Sequence, residues 1–462
     1  MRDLIVLAFV GGMLTLAIRY PFAGLLTWAW FTIMTPHQLA FGVFGIPLNM
    51  IIAAVTIVAF LFHGEFKNLG LGAIQVFIGL FAIWMVIAQS QSLDPANSGE
   101  YVDRLLKTLL FILLCILGTT TKLRFHALLW TLVAGIGFYA FKGGLFTLAT
   151  LGEFRVQGLA NTVLEDNNHM GIAIATILPL ILYLRNVSAA PWLKSALLVV
   201  FAVSIVAVIG THSRGAFVAL AAFAGLYWLR SKYKVSIAAG FTVLLIPTIA
   251  FMPAKWVERM STISSASEDA SFSGRVDAWE INYKLAQANP ITGAGLRNPY
   301  NEAIAATVDP ELAKTAKAAH SIYFEVLGGS GFIGLALYLS IFAAALLSTW
   351  SMYRRGRKGI DEPWLRDFSF YASISILIFM VGGASTSMEM WDGYLVVIAL
   401  VAAAERIAKT QHAIELKPVA RRIRKQTNHK RAKNFRGKPG ARSIGLSRAA
   451  RQELQNRGMQ PE

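Results

Sequence analysis

The sequence predicts an all-α polytopic membrane protein with 12 or 13 transmembrane helices and a helical loop on one face of the bilayer. Three observations predict it. Of the 462 residues, 55% are apolar and only 15% are charged, with a mean hydropathy of +0.53; a soluble domain carries roughly a quarter charged residues. Apolar runs of helix length recur along almost the whole chain, and the loops between them alternate between strongly basic and acidic or mixed. Together these exclude a disordered chain, a coiled coil and a conventional water-soluble enzyme.

A helix needs about 20 apolar residues to cross the hydrocarbon core. That window finds apolar runs at 3–18, 21–34, 48–63, 71–90, 104–119, 126–150, 168–185, 194–212, 214–230, 235–252, 321–351, 367–386 and 392–409. The first two are short and separated only by Arg19-Tyr20-Pro21, so they read as a tight hairpin or as one span with a re-entrant partner. The first run lacks a small-residue cleavage site followed by a soluble domain, so it is expected to stay rather than be removed as a signal peptide.

Lys and Arg in short loops mark the cytoplasmic side. Arg230-Ser231-Lys232-Tyr233-Lys234 and Arg354-Arg355-Gly356-Arg357-Lys358 are strongly basic, and Lys122, Arg124, Arg185 and Lys194 add to the same side. The alternate loops hold Asp94, Glu100, Asp103, Glu153, Glu165 and Asp166 and are expected outside. The side of the N-terminus depends on whether 12 or 13 runs cross. The net charge of +17 is largely a tail effect: residues 412–462 hold 14 Lys and Arg against three Asp and Glu. The tail reads as a positive anchor that holds the C-terminus inside and touches anionic lipid; nucleic-acid binding is poorly supported. The single cysteine, Cys115, lies in an apolar run and can build neither a disulfide framework nor a thiolate metal site.

The expected organisation is an N-terminal transmembrane bundle (1–252), a large outer loop (253–320), C-terminal transmembrane helices (321–409) and the basic tail (410–462). Loops this long are usually functional or carry structure of their own. Residues 276–288 read as an amphipathic helix with Val276, Trp279, Tyr283 and Ala286 on one face. Asn289-Pro290 stops it, Gly293-Ala294-Gly295 turns the chain, and 302–319 reads as a second helix.

Ionisable groups near membrane depth are costly and point to function. Thr211-His212-Ser213-Arg214-Gly215 joins two spans on the outer side. Arg214 reads either as an arginine snorkelling to headgroups or as a fixed guanidinium facing phosphate, which its planar fork suits. In Ser273-Gly274-Arg275-Val276-Asp277 the arginine is expected in a first helical turn, where backbone N–H groups also favour an anion; the alternative is a surface pair with Asp277 or Asp269. His320, in Ala319-His320-Ser321-Ile322-Tyr323-Phe324-Glu325, opens a long apolar helix whose N-terminus keeps it neutral. It reads as a general base or as a plain interfacial histidine. Asp166-Asn167-Asn168-His169 is either an N-cap or a polar wall for a sugar or phosphate. Lys142 inside a span snorkels outward or marks a site.

No P-loop, dinucleotide fingerprint or His/Asp/Glu cluster occurs, so neither a cofactor nor a metal is expected. Apart from Glu389 and Asp392 at an outer loop, the spans lack the carboxylates of an ion-coupled transporter.

These residues resemble the O-antigen ligase and polymerase superfamily of bacterial envelopes. The matching pieces are Arg155-Val156-Gln157-Gly158, Asp166-Asn167-Asn168, Ser213-Arg214-Gly215-Ala216, Gly274-Arg275 with Ala278-Trp279, Pro290 with Gly293 and Gly295, and Ala319 to Glu325 followed by Gly331-Phe332-Ile333-Gly334. Arg19 to Trp30, with Met34-Thr35-Pro36-His37, resembles a subgroup of O-glycosylation ligases found beside exosortase systems. The resemblance covers roughly residues 1–410 and excludes the tail. Each motif alone is weak; their order and common outer side make the set specific.

The resemblance implies a GT-C-type membrane glycosyltransferase in the bacterial inner membrane. Such an enzyme moves a glycan from undecaprenyl pyrophosphate to an acceptor hydroxyl on the periplasmic face, with inversion and without a metal. The acceptor is lipid A–core, a protein Ser or Thr, or another glycan. It implies His320 as the group acting on the acceptor hydroxyl, and Arg214 and Arg275 as the pyrophosphate clamp. Arg155, Asp166, Asn167, His169, Trp279 and Tyr323 are the implied substrate-binding residues. A polymerase of the same fold and a flippase or transporter of lipid-linked glycans remain the alternatives. A transporter site usually lies at the midplane between repeats, and no repeat is visible here.

Overall fold

The computed structural model describes residues 2–43, 45–68, 71–261, 270–314 and 318–412. Among them the chain is helical, without strands. A compact unit runs to Glu405; of the unit that starts at Arg406, only 406–412, the end of a helix, are described, so the expected role of the basic tail lies outside the described residues.

Each apolar run is a helix. They are α1 (Arg2–Arg19), α2 (Pro21–Met34), α3 (Leu48–Phe62), α4 (Ala73–Ser90), α5 (Pro95–Gly118), α6 (Lys122–Ala149), α7 (Asn167–Val187), α8 (Pro191–Gly210), α9 (Arg214–Arg230) and α10 (Lys234–Ala250). The large loop adds α11 (Ala254–Ser261), α12 (Ala270–Ala288), α13 (Glu302–Ala305) and α14 (Pro310–Ala313). Then come α15 (Ile322–Arg357), α16 (Pro363–Gly383) and α17 (392–412). Starts follow local chemistry: Pro21, Pro95, Pro191 and Pro363 sit at N1, and Asp94, Thr121, Asp166 and Ser213 accept backbone N–H groups as N-caps.

Among the described residues, α4, α6, α7, α8, α15 and α16 are long and apolar enough to span alone, and α10 with α11 forms a pair bent by 116°. The protein is therefore multi-pass. At about 1.5 Å per residue, α2 and α3 reach only about 21 and 23 Å of a core about 30 Å thick. Glu100, Asp103, Arg104 and Lys107 make the first half of α5 too polar for a lipid-facing span. Helix α7 is buried on nearly every face, packed on α6, α8, α9 and α16, which accounts for its uniformly apolar sequence.

Side-chain pairs sort the helix ends. One end of the bundle carries Lys122–Glu362 (3.1 Å), Arg124–Glu65 (3.2 Å) and Arg355–Asp361 (3.0 Å). The other, the loop end, carries residues 253–320. At that end Tyr139 donates to the Met34 carbonyl at 2.7 Å, and the Gly42 N–H donates to Asp3 at 2.8 Å. Asp3 thus places the start of α1 at the loop end, the arrangement that 13 alternating helices produce.

The loop departs from its sequence reading in two respects. Helix α12 starts at Ala270, so Arg275 lies in its second turn and not its first. Its buried residues are Ala278, Ile281, Asn282, Leu285 and Ala286, whereas Val276 and Tyr283 are exposed. The helix has two partners: Ile281 and Leu285 pack on Ile304, Ala305 and Ala313, and the opposite side meets α15. Nor is 302–319 one helix. Asp309 turns the chain and caps α14 through the N–H groups of Glu311 and Leu312, and 315–317 lie outside the described residues.

Helix α15 is broken at Gly331 (φ 72°, ψ −175°), a left-handed φ that only glycine adopts freely. The Pro290–Gly295 turn fills the break. Ala294 N–H donates to Gly328 O (2.8 Å), Gly295 N–H to Gly329 O (3.2 Å), and Phe332 N–H to Pro290 O (3.0 Å). Non-helical backbone at membrane depth needs such internal partners. The turn thereby ties the loop to the helix that follows His320.

Candidate active site

His320 ends the loop in a left-handed conformation (φ 45°), and Ser321 begins α15. Such a φ is uncommon for a residue with a Cβ and marks an imposed geometry. Two contacts impose it. The Trp279 indole N–H donates to the Ala319 carbonyl at 2.7 Å, and the Trp279 ring stacks on Phe324 with centroids 5.2 Å apart. Tyr323 is anchored as well, its hydroxyl donating to the Met380 carbonyl at 2.7 Å. The polar atoms of Trp279 and Tyr323 are thus engaged with the protein around His320.

Arg275 and the helix start that bears Arg214 both meet the 384–387 segment. Arg275 donates to the Ser385 carbonyl at 3.4 Å. Arg214 opens α9 behind the Ser213 cap, and a Cβ on the adjacent Gly215 would overlap the Ser385 hydroxyl. Both arginines are half-buried.

The 166–169 segment divides by residue. Asp166 caps α7, accepting from the N–H groups of Asn168 (2.8 Å) and His169 (3.4 Å). Asn167 is buried and donates to the Thr211 carbonyl at 2.7 Å, which locks α7 to the turn that leads into Arg214. His169 is held by Nδ1 on the Val163 carbonyl at 2.7 Å. Arg155 is exposed and acts on a different histidine, His212, whose Nε2 contacts the Gly152 carbonyl at 2.9 Å.

Burial lowers the His320 pKa to about 4, and the positive charge of Arg275, with His169 beside it, adds to the shift against an opposing pull from Asp166. His320 is therefore a neutral imidazole at physiological pH. Burial works against ionisation of Asp166 too, but the Asn168 N–H and the charge on His169 hold it below the usual carboxylate range. Burial, with Arg155 and Arg259 nearby, lowers His212 despite its Gly152 contact.

A buried ionic cluster adjoins this group and has no counterpart in the sequence reading. Arg297, left-handed at φ 63°, reaches Glu325 at 3.2 Å and Glu389 at 2.6 Å. Its guanidinium also lies over the rings of Tyr300 and Tyr101, and Ser387 donates to Glu325. Burial opposes the charge on Arg297, but Glu389 and Glu325 overcome it and raise its pKa. Its one visible signal was two carboxylates, Glu325 and Glu389, close to apolar helix starts. Lys142 is exposed on α6. Among the described residues, no three His, Cys, Asp or Glu side chains come together as metal ligands.

Comparison with known families places these features. Residues 1–189 match a family of unknown function, DUF5935, a span that includes Arg155 and Asp166 to His169. No curated protein matches the chain. Residues 199–339 match the O-antigen ligase family, and this span holds Arg214, Arg275, Trp279, Arg297, His320 and Tyr323. The match over residues 199–339 makes this part of the chain similar to the O-antigen ligase family and supports a membrane-embedded ligase- or polymerase-type enzyme.

Proposed function

We propose that the protein transfers a glycan from undecaprenyl pyrophosphate to an acceptor hydroxyl at the loop end of the bundle, which faces the periplasm of a bacterial inner membrane. The observation that carries the reading is the convergence of three residues. A neutral, conformationally constrained His320 stands beside Arg275, and Arg275 shares the 384–387 segment with the helix start that bears Arg214.

In the reaction, the acceptor oxygen attacks the anomeric carbon of the first sugar. The bond from that carbon to the pyrophosphate oxygen breaks, and the pyrophosphate leaves with the electron pair. Direct displacement inverts the anomeric configuration. Arg214 and Arg275 hold the pyrophosphate and stabilise the charge that grows on it, the kind of preorganised electrostatics that often supplies the largest catalytic contribution. His320 takes the hydroxyl proton. Burial, the larger cause of its low pKa, keeps it a weak base, but an anion next to Arg275 offsets the part that comes from that charge. Donor binding thus raises the basicity of His320 at the moment it is needed.

The test is a transfer assay with purified full-length protein, native lipid-linked glycan and separate acceptors: lipid A–core, a Ser/Thr-bearing protein from the same cells, and lipid-linked glycan itself. Glycan on either of the first two acceptors makes the protein a ligase. A lengthened lipid-linked chain makes it a polymerase. Movement of the donor between leaflets without a new glycosidic bond contradicts the proposal. Activity is expected to survive EDTA, because arginines supply the positive charge; loss restored by a divalent ion would assign the pyrophosphate to a metal.

A further inference from the structure

A cavity of about 850 Å³ opens among α2, α3, α5 and α6, bounded also by residues 159–164 and by Trp391. Apart from Trp391 and Asp392 its lining comes from the first 170 residues, within the match to the family of unknown function. The catalytic reading above leaves it unused. We infer that this cavity binds a neutral, hydroxyl-rich glycan segment.

The lining supports that chemistry in three ways. Trp28, Tyr101 and Trp391 offer aromatic surface for the C–H faces of sugars, while Asn49 and Asn161 offer amides for their hydroxyls. His37, Gln38, Thr32 and Thr162 line the wall as well, so imidazole, amide and hydroxyl groups are interspersed with the aromatic rings. The charges are the third point: Asp103 pairs with Lys107, and Glu100 and Asp392 offset Arg104. The lining thus has no surplus of positive charge to hold pyrophosphate or an anionic headgroup, which the arginine pair accommodates instead.

The cavity also adjoins the reacting residues. Val163 and Met170 line it, and the Val163 carbonyl holds His169, whose charge acts on His320. Tyr101 lines it and lies under the guanidinium of Arg297. A sugar seated here therefore stands one loop thickness from the proposed base. The inference rests on the transfer reading for what the sugar does next, and not for its binding. The glycan belongs to the donor or to the acceptor, since both present the same chemistry.

The test uses neutral oligosaccharides released by mild acid from the envelope polysaccharide of the producing cells, with binding to the purified full-length protein followed by saturation-transfer NMR. Glycan-free undecaprenyl pyrophosphate is the second probe. Ala54→Trp fills the cavity from α3, and Gln38→Leu removes an amide from the lining with little change in volume. Both variants should lower oligosaccharide affinity about tenfold or more, the worth of a hydrogen bond or two, and leave the affinity for undecaprenyl pyrophosphate unchanged. Arg214→Ala should do the reverse. A raised KM for acceptor alone assigns the acceptor glycan, and a raised KM for donor alone assigns the donor glycan; either supports the inference. Oligosaccharide binding that is absent in the wild type, or unchanged in both variants, overturns it. Loss of undecaprenyl pyrophosphate binding in Ala54→Trp with oligosaccharide binding intact also overturns it, by giving the cavity to the isoprenoid chain. A wild-type protein that binds oligosaccharide but transfers nothing would sink the proposed function and leave this inference standing.

Discussion

The indole N–H of Trp279 on α12 donates to the carbonyl of Ala319, the residue that precedes His320, at 2.7 Å. This one bond joins the loop helix that carries Arg275 to the backbone that carries the proposed base. Trp279→Phe keeps the stacking on Phe324 and removes the bond. The expected result is a roughly tenfold fall in kcat, with up to about a hundredfold when the ring of His320 shifts by about 1 Å, and little change in donor KM. Steady-state kinetics with varied donor checks it; a change in KM alone would make Trp279 a substrate contact.

The pH dependence follows from the sign of the His320 shift. The folded protein holds His320 at about 4, below the ordinary value of 6.5. The contribution of the neutral ring to stability is complete above about 6.5 and is lost as pH falls through about 4. In kcat/KM, which reports the free enzyme, the acid limb attributable to His320 should lie near pH 4. In kcat the limb should lie higher, because bound pyrophosphate offsets Arg275. Coincident limbs in the two profiles would remove the donor-dependent rise in basicity.

Arg297 holds two buried carboxylates, so its removal leaves both uncompensated. Arg297→Met should destabilise the fold by about 3–5 kcal/mol, read as a lower melting temperature in detergent. Adding Glu389→Gln should recover part of the loss, since one stranded charge goes with it. Equal melting temperatures for the wild type and Arg297→Met would show that the cluster contributes nothing to stability.

Much of this was legible in the sequence, and the remainder was hidden for identifiable reasons. Apolar runs located the helices because a lipid-facing helix has no other way to satisfy its surroundings. Arg214 and His320 stood out because each is a polar residue at the end of an apolar run, and Arg275 because it opens the loop's amphipathic stretch. Arg297 did not, because its partners Glu325 and Glu389 lie far along the chain and nothing local links them. The buried face of α12 was misread because a helix with two partners loses its single apolar stripe. The break in α15 had a signal, the run Gly328-Gly329-Ser330-Gly331, but its partner at Pro290–Gly295 emerges only in three dimensions.

Orientation has its own check. The basic pairs at one end of the bundle, Lys122 and Arg124 among them, predict that end to be cytoplasmic. A reporter active only in the periplasm should be active when fused after Asp309 and silent after Lys358. The opposite pattern would put His320 in the cytoplasm, away from the proposed donor. With 13 alternating helices, a reporter placed before Asp3 should also be active.

The central claim is the division of labour between His320 and the two arginines, and it is tested most directly by measuring donor binding and glycan transfer on the same purified variants. His320→Ala should lose transfer by about 10²- to 10⁴-fold while binding lipid-linked donor like the wild type. Arg214→Ala and Arg275→Ala should lose both binding and transfer, and Arg→Lys at either position should recover only part, because an ammonium cannot reproduce a bidentate fork. Normal turnover in His320→Ala, or donor binding lost there and intact in both Arg→Ala proteins, would contradict the account.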